Sequence, residues 1–224
     1  MIEFREAGFG YGEKPVLSDL DLRLDPGSMH FLTGRSGAGK TTFLRLLHMG
    51  LSPTVGQVRV FGRDTKGLTR REQAEMRRRM GVVLQDCDLL DHMTVLENIA
   101  LPLRINGTKV ANYERDLREL GVWVGLGKRL NAKPPELSSG ERQRAAIARA
   151  VVTSPDLVVA DEPTGNVDAD AAERILALFV ELNRLGKTVL IATHDMSLMR
   201  SAQGAGAHVL RVEDGRITRS GAPL

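Results

Sequence analysis

"FLTGRSGAGKTT", residues 31–42, decides how this chain folds. Gly34, Gly39, Lys40 and Thr41 fit the pattern G-x-x-x-x-G-K-[ST]. "MHFLT" (29–33) reads as a strand running into the pattern, and "TFLRLLHM" (42–49) as a helix running out of it. Gly34, Gly37 and Gly39 allow the backbone to turn successive N–H groups toward one anion. Lys40 then brings a positive charge to the terminal phosphates of a nucleotide, and Thr41 a hydroxyl to a magnesium ion. A strand, a glycine loop and a helix in that order imply a parallel α/β core that binds a nucleoside triphosphate.

Working outward, strand-like runs recur at "MIEF" (1–4), "LDLRL" (20–24), "QVRVF" (57–61), "GVVL" (81–84), "LVVA" (157–160), "TVLIA" (188–192) and "HVLRV" (208–212). "LVVA" and "TVLIA" are continuously apolar, as central parallel strands covered on both faces should be. Residues 170–185 repeat Ile175, Leu178, Phe179 and Leu182 at helical spacing, with Gly186 as a stop. Residues 95–155 hold helical patterns and no convincing strand, which predicts a helical insertion in the α/β core.

Three strand ends carry polar chemistry. "LVVADEPTG" (157–165) places Asp161 and Glu162 at the C-terminal end of an apolar strand, where open α/β sheets bind ligands. Asp161 suits a magnesium ion, and Glu162 suits a water molecule opposite the γ-phosphate. His194, after "TVLIA", is expected to reach the γ-phosphate. Gln85, after "GVVL", is expected to contact magnesium-bound or attacking water. A fourth segment, "LSSGERQRAAIARA" (137–150), resembles half of a second phosphate site. Ser138, Ser139 and Gly140 read as a turn, and Glu141 as the opening of a helix whose free N–H groups suit an anion.

Composition excludes several classes. The 224 residues carry 31 basic and 28 acidic side chains, net +3, which describes a mixed solvated surface and not a nucleic-acid patch. Cys87 stands alone, so no internal disulfide is expected. Glu3 and Glu6 interrupt the apolar core a signal peptide needs, and the longest apolar run, Ile175 to Val180, is far too short to span a membrane. A cytoplasmic location is expected, with any membrane association through a partner. "LTRREQAEMRRRM" (68–80) is strongly basic and is read as the solvated face of a helix, with attraction to anionic lipid as the alternative.

Taken together, the motifs resemble the ATP-binding subunits of ABC transporters. "GRSGAGKTT" (34–42) resembles the Walker A loop, Gln85 the Q-loop, "LSSGE" the signature motif, "LVVADE" the Walker B strand, "GNVD" (165–168) the D-loop and His194 the switch histidine. The resemblance implies one ABC-type P-loop ATPase domain over 1–224. Its mainly parallel core and N-terminal antiparallel β part would occupy 1–85 and 156–224, with a helical subdomain at about 86–155. It assigns Gly34, Arg35, Ser36, Gly37, Ala38, Gly39, Lys40, Thr41 and Thr42 to the phosphates and Tyr11 to the adenine. Thr41, Gln85 and Asp161 would hold magnesium, and Glu162, His194 and Gln85 would carry catalysis. It also implies a head-to-tail homodimer, in which Ser138, Ser139, Gly140, Glu141 and Asp168 of one copy face the ATP held by the other. The commonest signature is LSGGQ, so Ser139 and Glu141 depart from it, and tuned affinity is expected.

Within the family, "LENIALPL" (96–103), "ADEPTGNVD" (160–168) and "LIATHD" (190–195) are similar to the cell-division branch. That likeness implies attachment to the cytoplasmic face of the membrane through an FtsX-like integral partner. Control of peptidoglycan hydrolases, and contact with cytoplasmic division proteins, would follow. The partner is expected in the cleft near Gln85, against Leu89, Leu90 and Met93 of "QDCDLLDHMTV" (85–95), unless those side chains merely join the two subdomains. Lipoprotein-releasing and macrolide-efflux ATPases share "DEPTGN" and form the alternative. A soluble scaffold or mechanoenzyme is the alternative of another class.

Overall fold

The computed structural model describes residues 1–109 and 113–220. A six-stranded sheet forms the core. Its strands are β3 (Met29–Thr33), β6 (Met80–Val83), β7 (Leu157–Asp161), β8 (Thr188–Ala192), β9 (His208–Glu213) and β10 (Arg216–Ser220), in the order β10-β9-β3-β8-β7-β6. All neighbours pair in parallel except β10, which closes one edge as an antiparallel hairpin with β9.

The apolar runs alternate between two cores. Leu32, Leu157, Val159, Leu190 and Ala192 point into one cluster, and Phe31, Val158, Ala160, Val189 and Ile191 into another. A strand has a period of two, so a run apolar at every position can lie only between two covered faces. The first cluster joins the sheet to α1 (Lys40–Leu47) and to a second, antiparallel sheet. That sheet has the order β2-β1-β4-β5, with β1 at Ile2–Tyr11, β2 at Lys14–Leu24, β4 at Val55–Val60 and β5 at Arg63–Asp64. The second cluster joins the other face to α5 (Ser139–Val151), α6 (Ala169–Arg184) and α7 (Met196–Ser201).

Helices α3 (Val95–Ile105) and α4 (Glu114–Trp123) pack on α5 around a third cluster that includes Ile99, Leu117, Leu126 and Ala145. Among the described residues no strand lies between β6 and β7. The remaining helix, α2 (Arg70–Arg77), leads into β6 and opens with a capping box between Thr69 and Glu72.

Several elements differ from the sequence expectation. Helix α1 begins at Lys40 and not at Thr42, because Gly39 already acts as its N-cap. Strand β10 and helix α7 have no counterpart in the apolar runs. Their signals are local: Asp214 and Gly215 have φ of +47° and +76°, which suits a tight hairpin, and Asp195 caps α7 through Ser197 and Leu198 N–H. The basic run is not simply a solvated face. Arg77 donates to the carbonyls of His48 and Met49, and Arg79 pairs with Asp156 at 2.7 Å and covers the Phe61 ring.

Candidate functional site

The phosphate loop connects the C-terminal end of β3 to the start of α1. Gly37 and Gly39 hold φ of +77° and +108°, angles that other residues adopt only under strain, and this turns the loop around the N-terminus of α1. Lys40 is buried, and its Nζ donates to the carbonyl of Gly34 at 3.0 Å and lies 3.8 Å from Glu162 Oε1. The loop borders two hollows. One, of about 400 Å³, is lined by Tyr11, Ser36, Gly37, Lys40, Thr41, Thr42, Gln85, Asp161 and Glu162, together with Val16 and Gly39. The other, of about 1050 Å³, lies between Gly34–Ala38 and the β9–β10 hairpin, with His194 at its wall.

Asp161 ends β7. Its Oδ2 accepts a hydrogen bond from Thr41 Oγ1 at 3.1 Å, across the gap between the two sequence motifs. Burial pushes the Asp161 carboxyl above its usual range; the nearby Glu162 charge adds to this, while the Thr41 bond opposes it. A carboxylate partly stripped of water beside a threonine hydroxyl is a hard-oxygen pair suited to magnesium. Among the described residues no trio of acidic, histidine or cysteine side chains gathers at one point.

Glu162 turns away from its neighbour. Its N–H continues the β7–β8 pairing by donating to Ala192 O at 2.8 Å, but its φ is +46°. This rarely populated angle costs roughly 1–3 kcal/mol and is sustained by the surrounding structure. It brings the carboxylate between Lys40 and His194. Glu162 Oε1 accepts from His194 Nδ1 at 2.8 Å, so Nδ1 carries a proton and Nε2 is the nitrogen left for another ligand. The imidazole, expected to reach the γ-phosphate, is thus oriented by Glu162. Tyr11, at the end of β1, is 53% exposed and meets Phe9 edge-on at 4.9 Å, leaving a ring face available for stacking.

The signature segment lies elsewhere. None of Ser138, Ser139, Gly140 and Glu141 lines either hollow beside the phosphate loop. The turn expected over Ser138–Gly140 is already helix: Ser138 is the N-cap, and Ser139 and Gly140 are the first residues of α5. Ser138 Oγ accepts from Glu141 N–H at 3.2 Å, and the Glu141 carboxylate accepts from Ser138 N–H at 2.9 Å. Glu141 also pairs with Arg129 at 3.1 Å. The backbone bond from Ser138, followed by Arg129, holds the Glu141 carboxyl below its usual range. Glu141 is therefore a clamp on the helix start and not a free group aimed at a ligand. Ser139 and Gly140 keep N–H groups that have no acceptor within the helix. Gly140 also has a packing role, since a Cβ there would come 3.0 Å from Ala171 Cβ. Ala171 is in the first turn of α6, capped by Asp168 through the Ala171 N–H at 2.8 Å. The starts of α5 and α6 therefore lie side by side.

Sequence reasoning left Leu89, Leu90 and Met93 with two readings, a docking strip for a partner or a join between the two subdomains. Leu89 takes the second: it packs against both the second and third clusters, joining the subdomains. The segment around Leu90 is tied down by buried Asn98, whose side chain bonds Leu90 N–H, Leu90 O, Met93 O and Thr94 O. An open groove of about 460 Å³ lies nearby, between α2, α3 and α5, walled by Arg77, Arg78, Leu101, Pro102, Ile105 and Arg149 among others. Val16, Arg129 and Asn98 were not singled out in the sequence. Arg129 had no signal there, since its partner Glu141 is twelve residues away.

Comparisons with known proteins agree with this geometry. The family model described as ABC transporter matches residues 17–165. The cell division ATP-binding protein FtsE of Escherichia coli (strain K12) is 43% identical over 200 residues, covering 89% of this chain and 90% of that protein. FtsE of Haemophilus influenzae is 46% identical over 205 residues, with 89% and 93% covered. FtsE of Bacillus subtilis is 36% identical over 221 residues, with 98% and 95% covered. Among solved structures, the dimeric ATP-binding cassette MJ0796, in a post-hydrolysis state bound to ADP and phosphate, superposes with a TM-score of 0.87 at 30% identity. The match covers 99% of this chain and 98% of that one. A loop built for phosphates, an acidic strand end beside it and these likenesses together lead to one conclusion: the chain belongs to the ABC transporter family, as an ATP-binding, ATP-hydrolysing subunit.

Proposed function

We propose that two copies of this chain close head to tail on ATP and drive an FtsX-like membrane partner in bacterial cell division. The output would be control of peptidoglycan hydrolases. One observation carries the reading: the loop at Gly34–Thr42 and the start of α5 at Ser138–Gly140, both of which offer N–H groups suited to an anion, do not border a common hollow. Each is half of a site, and a second copy turned end to end would complete both. The relatives named for cell division supply the process, and the dimeric cassette MJ0796 supports the pairing.

Within each completed site, Tyr11 would stack on the adenine, and Lys40 and the loop amides would hold the β- and γ-phosphates. Thr41, Asp161 and Gln85 would hold magnesium, which when bound offsets the charge of the phosphate oxygens. Glu162 would take the proton of the attacking water, with Lys40 and His194 fixing its carboxylate. Ser138, Ser139 and Gly140 would offer the γ-phosphate of the other copy a hydroxyl and two amides, and Asp168 would lie at the same interface. Loss of the γ-phosphate removes what joins the halves, so the dimer reopens.

No described helix is long and apolar enough to cross a membrane, so the partner would supply the span and hold the chain at the cytoplasmic face. The groove between α2, α3 and α5 suits an amphipathic segment of that partner: Leu101 and Ile105 offer apolar surface, and Arg78 offers charge for an acidic residue. Contacts with cytoplasmic division proteins would use other surfaces.

The test is Glu162→Gln. It should reduce turnover by a factor of about 100 or more while retaining ATP, and should accumulate ATP-bound dimers in sedimentation velocity. A variant that stays monomeric at saturating ATP would refute the cycle.

A further inference from the structure

The segment that follows Gln85 is fastened to α5, the helix capped by Ser138. Arg149 lies about three turns along α5 from that cap. Its Nη1 donates to Asp88 O at 2.7 Å and its Nη2 to Cys87 O at 2.6 Å. Gln143, on the same helix, accepts from Cys87 Sγ at 2.7 Å in a buried contact. Cys87 and Asp88 hold φ of +63° and +45°, with Cys87 N–H bonded to Leu84 O and Asp88 N–H to Asp86 O. Two consecutive left-handed residues present their carbonyls side by side, and a planar guanidinium can serve both at once.

Upstream, Val83 is paired with Ala160 in the core sheet. Only Leu84, Gln85 and Asp86, all exposed, bridge that pairing to the strapped turn. Gln85 thus sits on a short span between two bodies, with one end in the sheet and the other on α5. It also lines the hollow that holds Lys40, Thr41 and Asp161. The span is short, so a shift of Gln85 toward or away from that hollow would pull on the turn that Arg149 holds to α5. Ser138, at the far end of α5, would shift with it.

We propose that Arg149 is a positioning residue that couples the placement of Gln85 at one half-site to the placement of Ser138–Gly140 at the other. The phosphate hollow is thereby linked to the chain's own signature helix. This rests on the half-site reading above and adds to it the part that links the halves.

Arg149→Lys keeps the charge and removes the fork. In the full chain with magnesium and ATP, kcat should fall roughly tenfold while KM for ATP stays within about twofold. Placed in the Glu162→Gln background, Arg149→Lys should raise the ATP-dependent dimer dissociation constant roughly tenfold. A purely structural role would lower the melting temperature but leave kcat, measured well below it, and the dimer constant at their parent values; that result overturns the proposal. If Glu162→Gln dimerises equally well with and without Arg149→Lys, the coupling alone is wrong. If Glu162→Gln never dimerises, the half-site reading fails and the coupling fails with it. Should Arg149→Lys not fold, Gln143→Leu cuts the same joint from its buried side, with the same expected and overturning results.

Discussion

Asp161 and Glu162 are adjacent in the chain and meet different partners because one ends a strand and the other breaks from it. Asp161 stays with β7 and meets Thr41, whereas the φ of +46° at Glu162 sends its carboxylate to Lys40 and His194. The type and order of these residues were legible; the strained angle that separates their roles was not, since nothing local in "ADEP" requires it. Asp161 also bears on stability. Burial, reinforced by the Glu162 charge, raises its folded value above the ordinary 3.8. The folded state therefore holds the proton more tightly than the unfolded chain. The contribution of this group falls as pH rises from 3.8 through the folded value, above which the ionised carboxylate carries a penalty. Asp161→Asn should remove that penalty and raise the melting temperature by about 2 °C while abolishing magnesium-dependent turnover. Thermal denaturation and ATPase assays at pH 7 check this. A lowered melting temperature with retained turnover would contradict it.

At the scale of the element, the start of α5 has a structural job and a proposed one that substitution can separate. Ser138 closes a capping box with Glu141, and in the proposed dimer its hydroxyl would meet a phosphate. The S-x-x-E spacing was visible in "SSGE", but the salt bridge from Arg129 that steadies it depends on how the short stretch before α5 packs. Ser138→Ala should cost about 1 kcal/mol of stability through the lost cap. Ser138→Asp caps equally well and should stay within about 0.5 kcal/mol of the parent. It sets a negative charge where the γ-phosphate of the second copy would arrive, so ATP-dependent dimerisation should be lost. Urea denaturation and sedimentation of both variants separate the effects; a Ser138→Asp chain that still dimerises on ATP would exclude this surface from the interface.

Across the whole molecule, the central sheet is covered on both faces and brings distant residues into contact across neighbouring strands. His30 of β3 stands beside His208 of β9, ring centroids 5.4 Å apart, and is almost fully buried. Burial, and then the His208 and Arg219 charges, lower the His30 value to about 4, against a weaker opposing pull from Asp25. Here the unfolded chain binds the proton first. The stability this residue contributes is complete above pH 6.5 and is lost as pH falls from 6.5 toward 4. Over that interval the loss should reach about 3 kcal/mol. His30→Leu should flatten it, as urea melts at pH 7, 5.5 and 4.5 would reveal. An unchanged slope would assign the acid sensitivity to other groups.

The local patterns of the sequence determined the phosphate loop, the acidic strand end, the central strands and the family. Each of these depends on neighbours within a few positions: glycines at fixed offsets, or apolar runs whose period leaves one kind of environment. Only the tertiary structure decided that Leu89 joins two subdomains, that Glu141 clamps its own helix, that Arg149 reaches Cys87 and Asp88, and that the two phosphate surfaces lie apart. These contacts depend on how elements pack across the chain, and that packing is set by the competition of all buried surfaces at once, which no short stretch encodes.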